Sequence, residues 1–307
     1  MPRVAILVPC YNEETAVPKV IEDFRRVLPQ AKIYVYDNNS RDRTVEVAKA
    51  AGAIVRTESL QGKGNVVRRM FADVEADIYV LVDGDATYDA ASAPKMIQKL
   101  LDENLDMVNG VRVTDIEKAY RPGHRFGNWL LTSMVAWIFG NRFTDMLSGY
   151  RVMSRRYVKS FPALAAGFET ETELTVHALE LRMPTAEIST PYKDRPPGSM
   201  SKLSTFKDGF RILWTIIVLV KEERPMHFFS LLALIFAAGA ALLITPIVIH
   251  FLETGLVPRL PTAVLAMGLM ILSFLSLSCG LILDTVTRGR REMKRMRYLY
   301  VPAPNQD

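Results

Sequence analysis

Cysteine is scarce in this sequence: Cys10 and Cys279 are the two in 307 residues. One falls in a loop after an apolar strand and the other in a long apolar run, so no disulfide framework or zinc-ligand spacing is available. Charge is scarce in two places. Phe228 to Ile249 and Leu260 to Leu283 contain no Asp, Glu, Lys or Arg. Each run exceeds the roughly 20 residues that cross a hydrocarbon core. Internal repeats and low-complexity tracts are absent. So is any aromatic-basic module of the kind that binds nucleic acid, and no nucleic-acid partner is expected. No signal peptide precedes the first strand, Val4-Ala5-Ile6-Leu7-Val8, which follows Pro2-Arg3 directly.

What remains is concentrated. The apolar fraction, 49%, is near the globular average, so a membrane part is confined to the two runs. The link between them contains His250, Glu253 and Arg259 with Gly255, Pro258 and Pro261, which predicts a helical hairpin; a buried core hairpin is the alternative. Lys221 and Arg224 precede the first run, and Arg288, Arg290, Arg291, Lys294, Arg295 and Arg297 follow the second. Basic flanks place both ends in the cytoplasm and attract anionic lipid. The expectation is a multi-pass protein of the cytoplasmic (inner) membrane with its N-terminal domain and both termini cytoplasmic. Its parts are a domain over 1–205, a juxtamembrane amphipathic helix over 206–225, transmembrane helices over 226–252 and 260–284, and a basic tail over 285–307. Self-association through the hairpin stays open, because Gly239, Ala240 and Ala241 form no clear small-residue stripe.

From residue 3 to about 110, strand and helix patterns alternate, which predicts an α/β fold with a mixed, mainly parallel sheet. Strands are expected at Val4–Val8, Lys32–Tyr36, Ala53–Val55, Ile78–Val82 and Met107–Asn109. Helices are expected at Glu14–Val27, Asp42–Ala51, Gly64–Val74 and Ala91–Leu101. Val111 to Tyr120 reads as a loop, and His124 to Gly140 as an apolar helix suited to a core or to a membrane interface.

Polar residues cluster where the strands end: Tyr11-Asn12-Glu13, Asp37-Asn38-Asn39-Ser40 and Asp83-Gly84-Asp85. Ligands bind outside the carboxyl ends of strands in open α/β sheets, so the clusters can converge on one crevice. Asp and Asn also favour turns, and Asp37 or Asp42 could cap the helix that begins near Arg43. Asp83 and Asp85 offer oxygen ligands for Mg²⁺ or Mn²⁺, cations that share ligands with substrate phosphates. Arg121, Arg125, Arg142, Arg151 and Arg195, with Ser148 and Lys202, are donors suited to a phosphate.

The set Pro9-Cys10-Tyr11-Asn12-Glu13-Glu14, Asp37 to Ser40, Gly62-Lys63-Gly64 and Asp83-Gly84-Asp85 resembles family 2 glycosyltransferases. Their fold is the GT-A nucleotide-sugar-binding domain. Asp145-Met146-Leu147-Ser148-Gly149-Tyr150-Arg151 is similar to the subgroup that glycosylates polyprenyl phosphates, dolichol-phosphate mannose synthase among them. The resemblance implies that Pro9, Tyr11 and Glu13 line the base and ribose pocket, that Asp37 recognises the base, and that Lys63 lies near the nucleotide. It implies metal and nucleotide binding at Asp83, Gly84 and Asp85, and sugar contact at Glu169, with Glu171 nearby. Asp145, Asp85 and Arg151 fall in the catalytic region, and Arg121, Arg125, Ser148, Arg151, Arg195 and Lys202 on the side of the acceptor phosphate. Two departures stand out: Asn38-Asn39 where the family often has Asp-Gly, and Thr87 where some members have Gln.

The activity so implied is inverting, metal-dependent transfer of a hexose or N-acetylhexosamine from a nucleoside-diphosphate sugar, UDP favoured over GDP, to a polyprenyl phosphate at the membrane. The alternatives are a lipid or polysaccharide hydroxyl acceptor, and a non-catalytic nucleotide-sugar-binding membrane subunit. A processive polysaccharide synthase is disfavoured, because none of Trp129, Trp137 or Trp214 stands in a Gln-x-x-Arg-Trp motif.

Overall fold

A computed structural model of the chain describes residues 2–113, 133, 143–167, 169–194, 214, 217–218 and 220–303. It divides into two units: Met1–Ile212 with Met293–Asp307, and Leu213–Glu292.

The first unit is built on seven strands: β1 (Val4–Cys10), β2 (Lys32–Asp37), β3 (Ile54–Thr57), β4 (Ile78–Leu81), β5 (Met107–Val113), β6 (Arg151–Ser154) and β7 (Thr185–Pro191). The helices between them are α1 (Val17–Val27), α2 (Thr44–Ala50), α3 (Lys63–Asp73), α4 (Ala93–Asp102), α5 (Arg155–Ser160) and α6 (Thr170–Glu180). The sheet order is β3-β2-β1-β4-β6-β5-β7. Ile6, Leu7 and Val8 of β1 and Ile78 to Leu81 of β4 are fully buried, as apolar runs in the middle of a largely parallel sheet must be. On α1, Val17, Val20, Ile21 and Phe24 form the buried stripe, the spacing of one helix face. This helix starts later than Glu14 because the Glu13 carbonyl closes a turn with the Ala16 and Val17 amides.

Four strand pairs are parallel, and β6 runs antiparallel to both β4 and β5. This reversal positions the site. Leu81 pairs with Arg151, so the chain entering β6 arrives beside the residues leaving β4. The strand β5 runs further than the Met107–Asn109 that the sequence indicates. Val111, Arg112 and Val113 continue β5 because β7 offers Ser189, Thr190 and Pro191 as partners. The expected helix over 124–140, apart from Ser133, and most of the juxtamembrane helix lie outside the described residues.

The second unit contains α7 (Pro225–Thr254) and most of α8 (Leu260–Tyr300), both long and apolar enough to cross a membrane. Besides Pro225 and Ser276, the buried residues are Ala233, Ala240 and Ile247 of α7 and Ala266, Ser273, Gly280 and Thr287 of α8. Both sets recur every seventh residue, the period of knobs-into-holes helix pairs. The Ser273 hydroxyl donates to the Ala233 carbonyl at 2.8 Å. Leu234, Leu242, Leu252, Leu265 and Leu281 point outward and are exposed. Small residues inside and large apolar ones outside suit lipid surroundings. α8 does not break near residue 285 but continues to Tyr300.

Candidate active site

The crevice begins where β1 and β2 end side by side. Cys10 is in register with Asp37, and the Asn38 amide donates to the Cys10 carbonyl at 2.9 Å. The loops that follow are fastened to each other. Asn12 N donates to Ser40 Oγ at 2.8 Å, Glu13 N to Thr44 Oγ1 at 2.9 Å and Glu14 N to Asp42 Oδ2 at 3.1 Å. Asp42 also accepts from Thr44 N, the first residue of α2, at 3.0 Å. Pro9, Tyr11 and Glu13 are thereby held against the Asp37 turn. One Asp37 oxygen accepts from Ser40 N at 3.1 Å, while the other, Oδ1, is buried without a hydrogen-bond partner among the described residues. Buried acceptors are normally satisfied, so this oxygen invites a donor.

Asn38 explains the first departure from the family pattern. Its amide nitrogen donates to the Glu58 and Leu60 carbonyls at 2.9 and 2.8 Å, and its oxygen accepts from Gly62 N at 2.7 Å. A carboxylate could not donate, so Asp here would release the loop that leads to Lys63. Gly62 has φ +129°, and a Cβ there would lie 2.2 Å from the Ala166 carbonyl oxygen; only glycine fits both constraints.

Lys63 opens α3 and places its ammonium between Asp83 and Glu171. Burial lowers the Lys63 pKa, but the Asp83 and Glu171 charges outweigh burial and leave it raised. The cation is therefore permanent at physiological pH. The Asp83 side chain is 30% exposed, against 10% for Lys63 and 7% for Glu171, so Asp83 is the open member of the three. Glu171 Oε2 is buried and has no hydrogen-bond partner among the described residues. A Cβ at Gly149 would lie 2.3 Å from Asp83 Oδ2, so the segment before β6 passes directly against this carboxylate. Gly149 N donates to the Tyr88 hydroxyl at 2.8 Å. Gly84 lies against the Cys10 thiol.

Asp85 is buried and accepts from Thr87 N and Thr87 Oγ1 at 3.2 and 2.6 Å. Thr87, the second departure from the family, thus orients the carboxylate two positions before it. Among the described residues no group of three or more His, Cys, Asp or Glu could hold a metal. Asp83 and Asp85 nevertheless fit a hard cation of the Mg²⁺ or Mn²⁺ kind that takes its other ligands from phosphate and water.

Asp145 is paired with a residue that the sequence reading missed. Arg112 Nε and Nη2 donate to its two oxygens at 2.7 and 2.8 Å. Burial raises the Asp145 pKa, but Arg112 outweighs it and holds the carboxyl below its ordinary value. The Arg112 guanidinium also covers the Tyr192 ring, 5.6 Å from its centroid. A signal existed: Arg112 is a lone charge between Val111 and Val113.

Ser148 and Arg151 are both buried. The Ser148 hydroxyl, fully buried, donates to the Gly110 carbonyl at 2.6 Å. Arg151 is also fully buried; it donates to the Ser148, Met146 and Glu171 carbonyls at 3.2, 2.7 and 2.9 Å. Burial lowers its pKa. Both side chains, expected on an acceptor phosphate and Arg151 also in the catalytic set, are bonded within the described residues and shape the 145–150 segment. Glu169 is the N-cap residue of α6 without a side-chain capping hydrogen bond, its carboxylate lying over Gly167, and it is Glu171 that reaches Lys63. Arg121, Arg125, Arg195 and Lys202 lie outside the described residues.

A mixed, mainly parallel sheet with this acidic pair at a central strand end is the arrangement of a GT-A nucleotide-sugar-binding domain. The chain belongs to glycosyl transferase family 2, whose model matches residues 5–161. It is 33% identical over 307 residues to glycosyltransferase AglJ of Haloferax volcanii, covering 96% of this chain and 98% of that one. A dolichyl-phosphate hexose transferase of the same organism is 27% identical over 221 residues, 72% of this chain and 95% of the relative. Glucosyl-3-phosphoglycerate synthase of Mycobacterium tuberculosis, solved with Mn²⁺, UDP and glucosyl-3-phosphoglycerate, superposes with a TM-score of 0.59 at 21% identity, over 72% of this chain and 79% of that one. The last likeness is one of fold.

Proposed function

We propose that this glycosyltransferase is inverting and metal-dependent, and that it moves a hexose or N-acetylhexosamine from a nucleoside-diphosphate sugar to the phosphate of a polyprenyl phosphate at the cytoplasmic face of the membrane. UDP is favoured over GDP. The observation that carries the reading is the permanent Lys63 cation shared by Asp83 and Glu171, with Asp83 the open member of the three. The two apolar helices and the dolichyl-phosphate relative support a lipid acceptor. The UDP and Mn²⁺ of the solved fold relative support the donor and the metal.

Asp37 offers its unsatisfied oxygen to the base. Asp83 and Asp85 would hold Mg²⁺ or Mn²⁺ against the diphosphate. The cation, when bound, supplies charge neutralisation for the leaving group. Lys63 adds fixed positive charge without reorganisation, which favours charge developing on that diphosphate. A lipid phosphate oxygen attacks the anomeric carbon as the bond to the diphosphate breaks, so an α-linked donor gives a β-linked product. The phosphate monoester, with a second pKa of about 6, is already largely ionised, so no strong base is required. Asp145, acidic and spent on Arg112, is suited to holding that guanidinium for an acceptor phosphate rather than to taking a proton. Arg121, Arg125, Arg195 and Lys202 are further candidates on that side.

The test is transfer by the full chain in detergent with undecaprenyl phosphate, Mg²⁺ or Mn²⁺, and a panel of UDP- and GDP-sugars. A chloroform-soluble sugar product that is lost in Asp85→Ala is expected. Donor hydrolysis without lipid product would point to a hydroxyl acceptor, and nucleotide binding without turnover to a non-catalytic subunit.

A further inference from the structure

The end of α8 groups with the first unit: Met293–Asp307 is part of it. Two side chains one turn apart fasten it there. Lys294 Nζ donates to Glu180 Oε2 at 2.6 Å, with the two side chains 14% and 2% exposed. The Tyr298 hydroxyl donates to Asp106 Oδ2 at 2.7 Å, and its ring lies 4.8 Å from the Arg156 guanidinium. Asp106 is fully buried and also accepts from Ser154 Oγ at 2.7 Å and Arg156 Nη2 at 2.9 Å.

These are not surface pairs. An exposed ion pair contributes little, whereas a carboxylate removed from water depends on each of its partners. The basic run after the second apolar segment reads, in sequence, as charge directed at lipid headgroups. The structure sorts that run. Arg295 and Arg297 are exposed, while Lys294 and Tyr298 are turned onto the domain, as residues four apart on one helix face must be. His177, one turn before Glu180, is kept neutral, its pKa pulled down to about 3 by burial and then by the Lys294 charge.

What the tail grips matters. Glu180 ends α6, and Glu171, near the start of the same helix, shares Lys63 with Asp83. Nine residues of helix separate them, about 14 Å at 1.5 Å per residue. Asp106 immediately precedes β5, whose Asn109 donates to the Asp145 carbonyl at 2.8 Å and whose Arg112 holds the Asp145 carboxylate. The tail therefore holds the far ends of the two elements whose near ends carry the site's two buried ion pairs.

We propose that Lys294 and Tyr298 are positioning residues for glycosyl transfer: the docked tail fixes the placement of α6 and β5, and through them the Lys63–Glu171 and Arg112–Asp145 pairs. A site that works by fixed charges loses rate when its supports move by a fraction of an ångström.

The test uses the full chain in detergent with Lys294→Met, Lys294→Arg, Tyr298→Phe and Arg295→Met. Turnover with the donor and acceptor found above is one readout, and it rests on the proposed function. Amide hydrogen exchange over residues 107–113 and 170–180 is the other, and it does not. Lys294→Met is expected to lower kcat about 5- to 20-fold, with KM for the donor changed less than about threefold, and to speed exchange in α6. Lys294→Arg restores both, and Arg295→Met alters neither. Tyr298→Phe, a milder change, is expected to halve kcat and speed exchange in β5; it serves if Lys294→Met does not fold. Unchanged kcat and exchange in folded Lys294→Met or in Tyr298→Phe would overturn the inference. An equal fall in Arg295→Met would overturn it too, because lipid attraction would then explain both. Faster exchange in Lys294→Met, in a protein that turns over no donor, would keep the positioning of α6 and sink the functional reading instead.

Discussion

Lys63 and Arg151 are both buried cations, and Glu171 touches each of them, yet the two are held in opposite ways. Lys63 rests between two carboxylates, one of which is partly open. Arg151 donates to three backbone carbonyls. Carbonyls belong to the path of the chain and cannot turn toward a ligand without moving it. Carboxylate side chains can. The comparison teaches that the nature of a buried cation's partners, more than its burial, separates a charge available to chemistry from one consumed by folding. His177 shows a third solution, in which burial and Lys294 remove the charge altogether.

The strongest way to break the comparison is Arg151→Met. Three buried carbonyls lose their donor, and a loss of about 3–5 kcal/mol in stability is expected by denaturant titration of the full chain in detergent. A stable but inactive variant would instead return Arg151 to the acceptor site. Lys63→Met should do the reverse, with kcat/KM falling by about 10²–10³ while stability falls less. Adding Glu171→Gln to Lys63→Met removes the like-charge contact left behind, so folding stability should recover and turnover should not. Asp37→Asn tests an oxygen left without a partner among the described residues. The donor KM should rise about tenfold, roughly 1.4 kcal/mol, with kcat within about twofold.

The effect at His177 appears only as pH falls. Its folded pKa is about 3, below the ordinary 6.5, so the unfolded chain binds the proton first. Its contribution is complete above pH 6.5 and is lost as pH falls toward 3, at about 1.4 kcal/mol per pH unit. His177→Phe should flatten the stability profile between pH 7 and 5 by that slope.

The first half of the sheet was legible because β1, β2 and β4 are apolar runs that end in Asn, Asp and Gly, and α1 has a regular apolar stripe. The strands β6 and β7 were not. Arg151 to Ser154 is four residues long and opens with an arginine, and Thr185 to Pro191 contains Glu187 and has no long apolar run. Their pairing comes from β4 and β5, which local pattern does not report. At the site, Asp83 was singled out by its place at the end of a buried strand, and Lys63 only by the family resemblance. The surroundings of Arg151 and Ser148 were not legible, because an arginine and a serine near a strand carry the same signal whether they face phosphate or carbonyl. Glu171 was weighed beside Glu169, but only the fold of α6 separates the two, and Arg112 fell in a stretch that reads as a loop until β7 pairs with it.

The seam of the hairpin has a consequence for how such a chain can vary by descent. Ala233, Ala240 and Ile247 face a matching series in α8 that repeats every seven residues. A single inserted residue in α8 would turn everything after it by about 100°. Placed just before Ser273, it would carry that hydroxyl away from the Ala233 carbonyl and bring a bulky neighbour to the seam. Substitutions on the outer face, from one large apolar residue to another, cost the pairing nothing. Mutation is therefore free to reletter the outer side of these helices but not to change their count, and the interval from Ala233 to Ser273 should outlast the identity of nearly every residue exposed between them.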